Sequence, residues 1–340
     1  MENLRVLHLT HHWGAYRVIE SNVKSLGFGI ETQSGIQQWN YNIGHIRAEE
    51  LWNKYKDYYN KFDVIIVSDT PPLSRIFIQN NYSGKLIVWV TIRFDYYDSA
   101  TNDCGFPDRE YYDLIRAATQ NPKVKFIPSY DFESIYAKKY RNVDFTNEVI
   151  YPWAPNVNIG SILPKYKHAV LPPMDKDNTL FVLNNHNDKL FHVEERCQQL
   201  GMPAYRSDYD TFDDLVGFKA LVHVPYSFGK VAMFDYLELG QVFLTPTKEF
   251  LLELSKTPGF WYDTQVMSPS SAVGQFIETS NWYLPKYNDL FIRFCSWEHL
   301  AELAKNEELI KEKREYASKF VPIQIQETLE KWRKAIVEWK

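Results

Sequence analysis

Three short stretches of this chain have residue types and settings that could do chemistry. The first is Tyr226-Ser-Phe-Gly-Lys230, a loop with one glycine between two apolar runs. Ala220 to Val224 before it reads as a strand that stops at Pro225. Val231 to Leu239 after it keeps Val231, Phe234, Leu237 and Leu239 near one side of a helix, and Gly240 ends that helix as a left-handed cap. A loop that opens a helix inside a β-α-β unit aims free N–H groups and the positive dipole end at one point, which suits an anion. The second stretch is His11-His-Trp-Gly14, directly after the first predicted strand. The third is Asn184-Asn-His-Asn187, directly after the first strand of the second half.

The elements that must position these residues alternate along the whole chain. Strands are predicted over 4–10, 28–33, 62–68, 85–91, 123–128 and 148–151. Helices are predicted over 16–26, 48–60, through Ile78 from Pro71-Pro72, 109–119 and 130–140. Pro152 to Pro173 carries five prolines without period and reads as a connection. The alternation then restarts with strands over 178–183, 204–207, 220–224 and 241–244. Helices are expected over 190–200, 211–218, 231–239 and 249–255. The segment 259–280 reads as irregular, 298–316 as a charged amphipathic helix, and Pro322 as the start of a last helix to Lys340. Ile325, Leu329, Trp332, Ile336 and Trp339 make one stripe on that helix, expected to pack back on the N-terminal half. The pattern predicts two tandem Rossmann-like doubly wound α/β domains, 1–155 and 156–321, with a returning helix over 322–340. Such sheets bind ligands outside the carboxyl ends of their strands. That singles out His11, His12, Asp69, Thr70, Arg93 and Asp95 in the first half.

Composition narrows the class. At 340 residues the chain fits two domains, and 45% hydrophobic content supports two cores. A net charge of −5 offers no general attraction to nucleic acid or anionic membrane. The three cysteines, Cys104, Cys197 and Cys295, are far apart and odd in number, which fits a reducing compartment. No apolar run approaches the roughly 18 residues of a membrane span, and Met1 to Thr10 reads as a strand rather than a signal peptide. A cytoplasmic protein is therefore expected. Adjacent histidines rarely share one tetrahedral ion and no third ligand is evident, so no metal site is expected.

Asp235-Tyr-Leu-Glu-Leu-Gly240-Gln-Val-Phe-Leu-Thr-Pro246 resembles a motif of the GT-B glycosyltransferases, in which an acidic residue precedes a helix turn, a Gly-x-Pro-Val and a Thr/Ser-Pro pair. Two α/β halves, a proline-rich joint and a returning helix resemble the architecture of that family. The resemblance implies a cleft between the halves, with a nucleotide-sugar donor on the C-terminal domain and a glycan or glycoconjugate acceptor on the N-terminal one. Asp235 would stand where the family's glutamate holds the ribose. Ser227 stands where retaining members carry an earlier glutamate, so inversion is expected. The implied transfer needs the leaving diphosphate stabilised, without metal or cofactor, by the backbone of Ser227, Phe228 and Gly229 and by Lys230 or Lys189. Tyr226, Asn184, His186 and Asp208 complete the expected donor side. An inverting enzyme also needs a base near neutral pKa. His12 is preferred, being nearer Gly14, with His11 and then Asp95 as alternatives. Trp13, Gly14, Asp69, Thr70 and Arg93 are the expected acceptor contacts.

Rival readings come from other classes. No Gly-x-Gly-x-x-Gly follows either first strand, which argues against a dinucleotide-dependent oxidoreductase. A nucleotide-sugar epimerase of the same fold and a non-catalytic nucleotide- or glycan-binding relative both remain compatible with the residues.

Overall fold

The computed structural model describes residues 4–34, 43–69, 71–96, 107, 109–145, 148–155, 174–209, 212–264 and 266–339. The chain divides into two compact units, one of residues 1–155 with 325–340, the other of residues 156–324. Most of the proline-rich connection, Cys104 and Thr70 lie outside the described residues.

In the first unit the chain runs β1 (Arg5–Thr10), α1 (Trp13–Ser25), β2 (Gly29–Ser34), α2 (His45–Tyr59), β3 (Val64–Ser68), a 3-10 turn (Pro71–Ser74) and α3 (Arg75–Ile78). It continues through β4 (Lys85–Val90), α4 (Arg109–Ala118), β5 (Val124–Pro128) and α5 (Asp131–Arg141). The five strands form one parallel sheet in the order β2-β1-β3-β4-β5. Every residue of β3 is buried, as is every residue of β1 and β4 after the first. These runs are mainly apolar because helices cover both faces of a parallel sheet. The buried polar residues in them are Thr10, Ser68 and His8, whose Nε2 lies 2.7 Å from Ser68 Oγ on β3. Burial alone draws this imidazole down to about 3, so it stays neutral.

The sixth predicted strand of this half, 148–151, does not form. Those residues make one backbone bond to a strand, Ile150 N to Pro128 O, and one local bond, Trp153 N to Tyr151 O, while Ile150 O accepts from Trp89 Nε1. An apolar dipeptide bounded by Glu148 and Pro152 can bury itself without a ladder. Trp89 also meets Trp332 edge to face at 5.7 Å, which seats the last helical stretch within this unit.

In the second unit the order is a 3-10 turn (Lys176–Asn178), β6 (Leu180–Leu183), α6 (His186–Leu190), α7 (Val193–Gln199), β7 (Ala204–Ser207), a 3-10 turn (Phe212–Leu215) and β8 (Ala220–Val222). Then come α8 (Val231–Glu238), β9 (Phe243–Pro246), α9 (Lys248–Leu254), α10 (Pro269–Phe276), two further 3-10 turns, β10 (Phe291–Phe294) and α11 (Trp297–Ala304). Its sheet is parallel, in the order β10-β9-β8-β6-β7. Counted along the chain, both sheets repeat one plan, second-first-third-fourth-fifth.

Five readings change here. The helix expected over 190–200 is broken by His192 at φ 50, which separates α6 from α7. The one expected over 211–218 is a single 3-10 turn. Within 259–280, expected to be irregular, Ser268 caps α10 by accepting from Ser271 N, with Pro269 in the first turn. Strand β10, to which the hydrophobic period assigns nothing, is only four residues long. Last, α12 (Glu307–Val337) is continuous, so Pro322 sits inside a helix instead of opening one. Proline there gives up one backbone bond, and a 31-residue helix absorbs that loss. Among the described residues no helix is long and apolar enough to cross a membrane.

Candidate functional site

In a doubly wound sheet the ligand crevice opens where neighbouring strands send their connections to opposite sides. In the first unit that point lies between β1 and β3, and in the second between β6 and β8.

At the first of these, β1 delivers His11 and β3 delivers Asp69. Asp69 is buried and holds φ 61, a left-handed conformation that aspartate tolerates better than most residues. His11 is half-buried. Desolvation lowers its pKa, and the charge of Asp69 opposes that shift. The result is an imidazole that is neutral near pH 7 with a carboxylate beside it, the pairing a general base needs.

His12, the preferred base, has another occupation. Its backbone N–H donates to Thr10 Oγ1, and its Nδ1 accepts from Ala15 N at 3.2 Å, capping α1. A neutral histidine whose Nδ1 accepts carries its proton on Nε2. The nitrogen turned outward is then a donor and cannot take a proton. Trp13 and Gly14 form the first turn of α1, and Trp13 stacks on Tyr16 at 4.7 Å.

Asp95 and Arg93 leave the site as well. Asp95 accepts from Tyr112 Oη at 2.7 Å and Tyr136 Oη at 2.8 Å, and pairs with Arg141 Nε. A buried carboxylate held by three donors is committed to the fold. Arg93 is buried against Glu133 at 3.2 Å, over the face of Phe132. Two charges removed from water together in this way are structural, because neither can leave without stranding the other.

The second switch point holds a polar cluster that the chain order conceals. Asp188 and His223 are wholly buried, with Asp188 Oδ2 2.9 Å from His223 Nδ1. The other carboxylate oxygen accepts from Val224 N at 2.7 Å. Beside it, Asn187 Nδ2 donates to Pro225 O and Trp261 O while its Oδ1 accepts from Trp261 N. These bonds fix the entry to the loop 224–230. Inside the loop Ser227 Oγ donates to Gly229 O. Phe228 O accepts from Asn281 N and Ser280 Oγ.

Lys230 ends the loop at the N-cap of α8, and no side chain caps that helix. Its ammonium lies over the rings of Tyr226 at 5.6 Å and Tyr236 at 5.9 Å. Burial draws it down to about 8, against the pull of Asp188. His223 is likewise lowered, by burial first and by Lys230 in smaller part, with Asp188 opposing. The uncapped helix start and this cation converge on one point, which makes the loop fit to hold an anion. Tyr226 stacks on Trp261 at 5.4 Å, and Trp261 is 45% exposed, so the pair offers a flat aromatic face beside the loop.

Other expected donor residues are dispersed. Asn184 Nδ2 donates to Asp208 Oδ1 at 2.8 Å, tying the ends of β6 and β7 together. His186 is exposed, with its Nε2 2.8 Å from Gly259 O, and Lys189 is exposed on α6. Asp235 is only 2% exposed, so its carboxylate is not open to a ribose in this conformation. It lies on α8, six of whose eight residues are buried. Asp188, His223 and Trp261 were not legible as site residues, and Asn187 was legible only as the end of the stretch Asn184 to Asn187. The one available signal was a histidine inside the apolar run Ala220 to Val224. Among the described residues no group of three or more metal-ligating side chains is found.

No family model matches this chain, and no curated relative matches it. Solved structures show likeness over nearly its full length. One is Arabidopsis thaliana UGT89C1 complexed with UDP, at 11% identity and TM-score 0.46, covering 99% of this chain and all of the other. Another is the DNA-modifying enzyme β-glucosyltransferase, studied with and without uridine diphosphoglucose, at 9% and 0.48, covering 98% and 100%. A third is UDP-GlcNAc 2-epimerase from Neisseria meningitidis bound to UDP-GlcNAc, at 10% and 0.43, covering 98% and 100%. These likenesses lie at the level of fold.

Proposed function

We propose that this chain is a GT-B glycosyltransferase that moves a sugar from a nucleotide-sugar to a carbohydrate or glycoconjugate acceptor with inversion. The second unit would bind the donor, and the first would supply the base and the acceptor contacts. The observation that carries this reading is Lys230 at the uncapped start of α8, at the switch point of the second sheet.

In the proposed reaction an acceptor hydroxyl gives its proton to His11 as its oxygen bonds to the anomeric carbon. The bond from that carbon to the diphosphate oxygen breaks, and its electron pair leaves with the nucleoside diphosphate. Lys230 and the first N–H groups of α8 face the charge that develops there. Asp69 stabilises the imidazolium that forms. Asp188 and Asn187 act through the loop backbone, holding it in place before the donor arrives. Tyr226 and Trp261 offer the surface on which a base or sugar ring would stack.

Thermal shift with UDP-, GDP- and dTDP-sugars tests donor binding, because a ligand of the native state raises the melting temperature. One nucleotide family should stabilise the chain, and Lys230→Ala should abolish the shift. Product analysis follows with a panel of glycan acceptors. Stabilisation by NAD alone would overturn the reading. An epimerised nucleotide-sugar with no transfer would assign the chain to the epimerases.

A further inference from the structure

The first sheet has chemistry at its other edge too. A half-open cavity of about 570 Å³ lies at the amino ends of β1, β3, β4 and β5, opposite the carboxyl ends that carry His11 and Asp69. Its volume is within the range of small-molecule sites. Lys85 and Lys123 line it, at the starts of β4 and β5, which pair with Leu86 opposite Val124. Tyr82, Phe62 and Trp339 give it aromatic walls, and Asn60, Asp63 and Ser83 give it polar groups.

The walls are held in place. Tyr82 Oη donates to Phe62 O at 2.8 Å, and its ring packs on Phe77. Gly84 lies so close over that ring that a Cβ would come within 2.4 Å of Tyr82 Oη. Trp339 Nε1 donates to Ile336 O at 2.8 Å, and Lys125 Nζ sits 4.3 Å from the indole centroid.

The charges in the cavity are not balanced. Asp63 is matched by Arg5, through its backbone N–H at 2.8 Å and its guanidinium at 3.7 Å. Among the described residues no carboxylate pairs with Lys85 or Lys123. Lys123 Nζ donates to Ser83 O, and Lys85 Nζ lies 5.5 Å over Trp339. Lys125 next to them is lowered from the usual lysine range, by burial first and then by the charge of Lys85, with Glu338 opposing. Lysines gathered in excess of carboxylates at one end of a sheet favour an anion among them.

We infer that this pocket is a second binding site, for an anionic saccharide, a pyranose bearing a carboxylate, sulfate or phosphate. Lys85 and Lys123 take the charged group. Asn60, Asp63 and Ser83 pair with ring hydroxyls, and Trp339 and Tyr82 cover an apolar ring face. The site does not depend on the proposed transfer reaction and lies at the opposite edge of the sheet from its base.

The test is calorimetric titration of the full chain with glucuronate, glucose 6-sulfate, glucose 6-phosphate, glucose and inorganic phosphate, with no nucleotide-sugar present. At least one anionic sugar should bind saturably and glucose should not. The affinity should fall as salt is raised. The double variant Lys85→Gln/Lys123→Gln should weaken binding by about tenfold or more with an unchanged melting temperature. Trp339→Ala should also weaken it. The three sugar arms identify the charged group. No binding by any of them, equal binding of glucose or of inorganic phosphate, or an unchanged affinity in the double variant would overturn the inference.

Discussion

Asp188 Oδ2 stands 2.9 Å from His223 Nδ1, with both side chains wholly buried, and the same carboxylate holds Val224 N at the entry to the loop. One residue thus satisfies an imidazole and a backbone amide and also faces Lys230. Its removal would strand all three.

Asp188→Ala should therefore cost about 2–5 kcal/mol, because a buried imidazole N–H and a buried backbone N–H would each lose an acceptor. Asp188→Asn should cost less, since its amide oxygen still accepts from one donor. Urea unfolding followed by tryptophan fluorescence checks both. A loss below about 1 kcal/mol for the alanine variant would mean that the pair does not anchor the loop.

The two histidines after β1 can be separated by their effects. His11→Ala should lower turnover by about 10²–10⁴, the range of a lost general base, with little change in stability. His12→Ala should cost about 1 kcal/mol of stability through the lost cap, and His12→Asn should restore most of it. Turnover measured at equal folded fraction should be unchanged in both His12 variants. Full activity in His11→Ala would remove it from the mechanism.

Asp95 supplies a contrasting case. With Tyr112, Tyr136 and Arg141 all directed at its carboxylate, Asp95→Ala should destabilise the chain by about 3 kcal/mol. The kcat of the protein that remains folded should match the parent. A variant that folds normally but has lost turnover would return Asp95 to the catalytic residues.

The contrast between Asp95 and His11 shows what a single sequence discloses. Alternation of period and turn residues was enough to place nine strands and most of the crossover helices near their positions, because buried parallel strands such as Val64–Ser68 are apolar in all but their last residue. It overreached at 148–151, where burial is satisfied without a ladder, and missed β10, four residues long. The strand ends were legible as a region, which is how His11 and Asp69 were singled out. What each polar side chain does there was not, because that depends on partners distant in the chain. Arg141 is 46 residues from Asp95, and His223 is 35 from Asp188. His12 was expected to face the ligand and caps α1 through Nδ1, because a residue that caps a helix occupies the same place in sequence as one that faces a ligand.

Burial of His8 makes the fold sensitive to acid. Its folded pKa, about 3, lies below the unfolded value of 6.5, so the stability it contributes is complete above pH 6.5 and is lost as pH falls. One such group gives a slope of about 1.4 kcal/mol per pH unit below 6.5. His223 is shifted in the same direction and adds to the effect in the second unit. His8→Leu should remove one proton's worth of slope between pH 6.5 and 5, read from calorimetric melting. An identical slope in the variant would show that His8 is not the group responsible.

The pH profile of turnover tests the proposed roles of His11 and Lys230 most directly. His11 must be neutral to accept a proton, and its pKa lies below the usual 6.5, so kcat/KM should hold above that pH and fall as pH drops further. Lys230 must be charged to face the leaving diphosphate, and its pKa is about 8, so kcat/KM should fall again as pH rises through 8. The expected curve is a bell. Asp69→Asn keeps a side chain that tolerates φ 61 but removes the charge that raises the pKa of His11. Its acid limb should move to lower pH while the alkaline limb stays. Lys230→Arg keeps its charge at all accessible pH, so its alkaline limb should disappear while the acid limb stays. An acid limb that moves upward in Asp69→Asn would contradict the assignment of the base. An alkaline limb that persists in Lys230→Arg would place the titrating cation elsewhere.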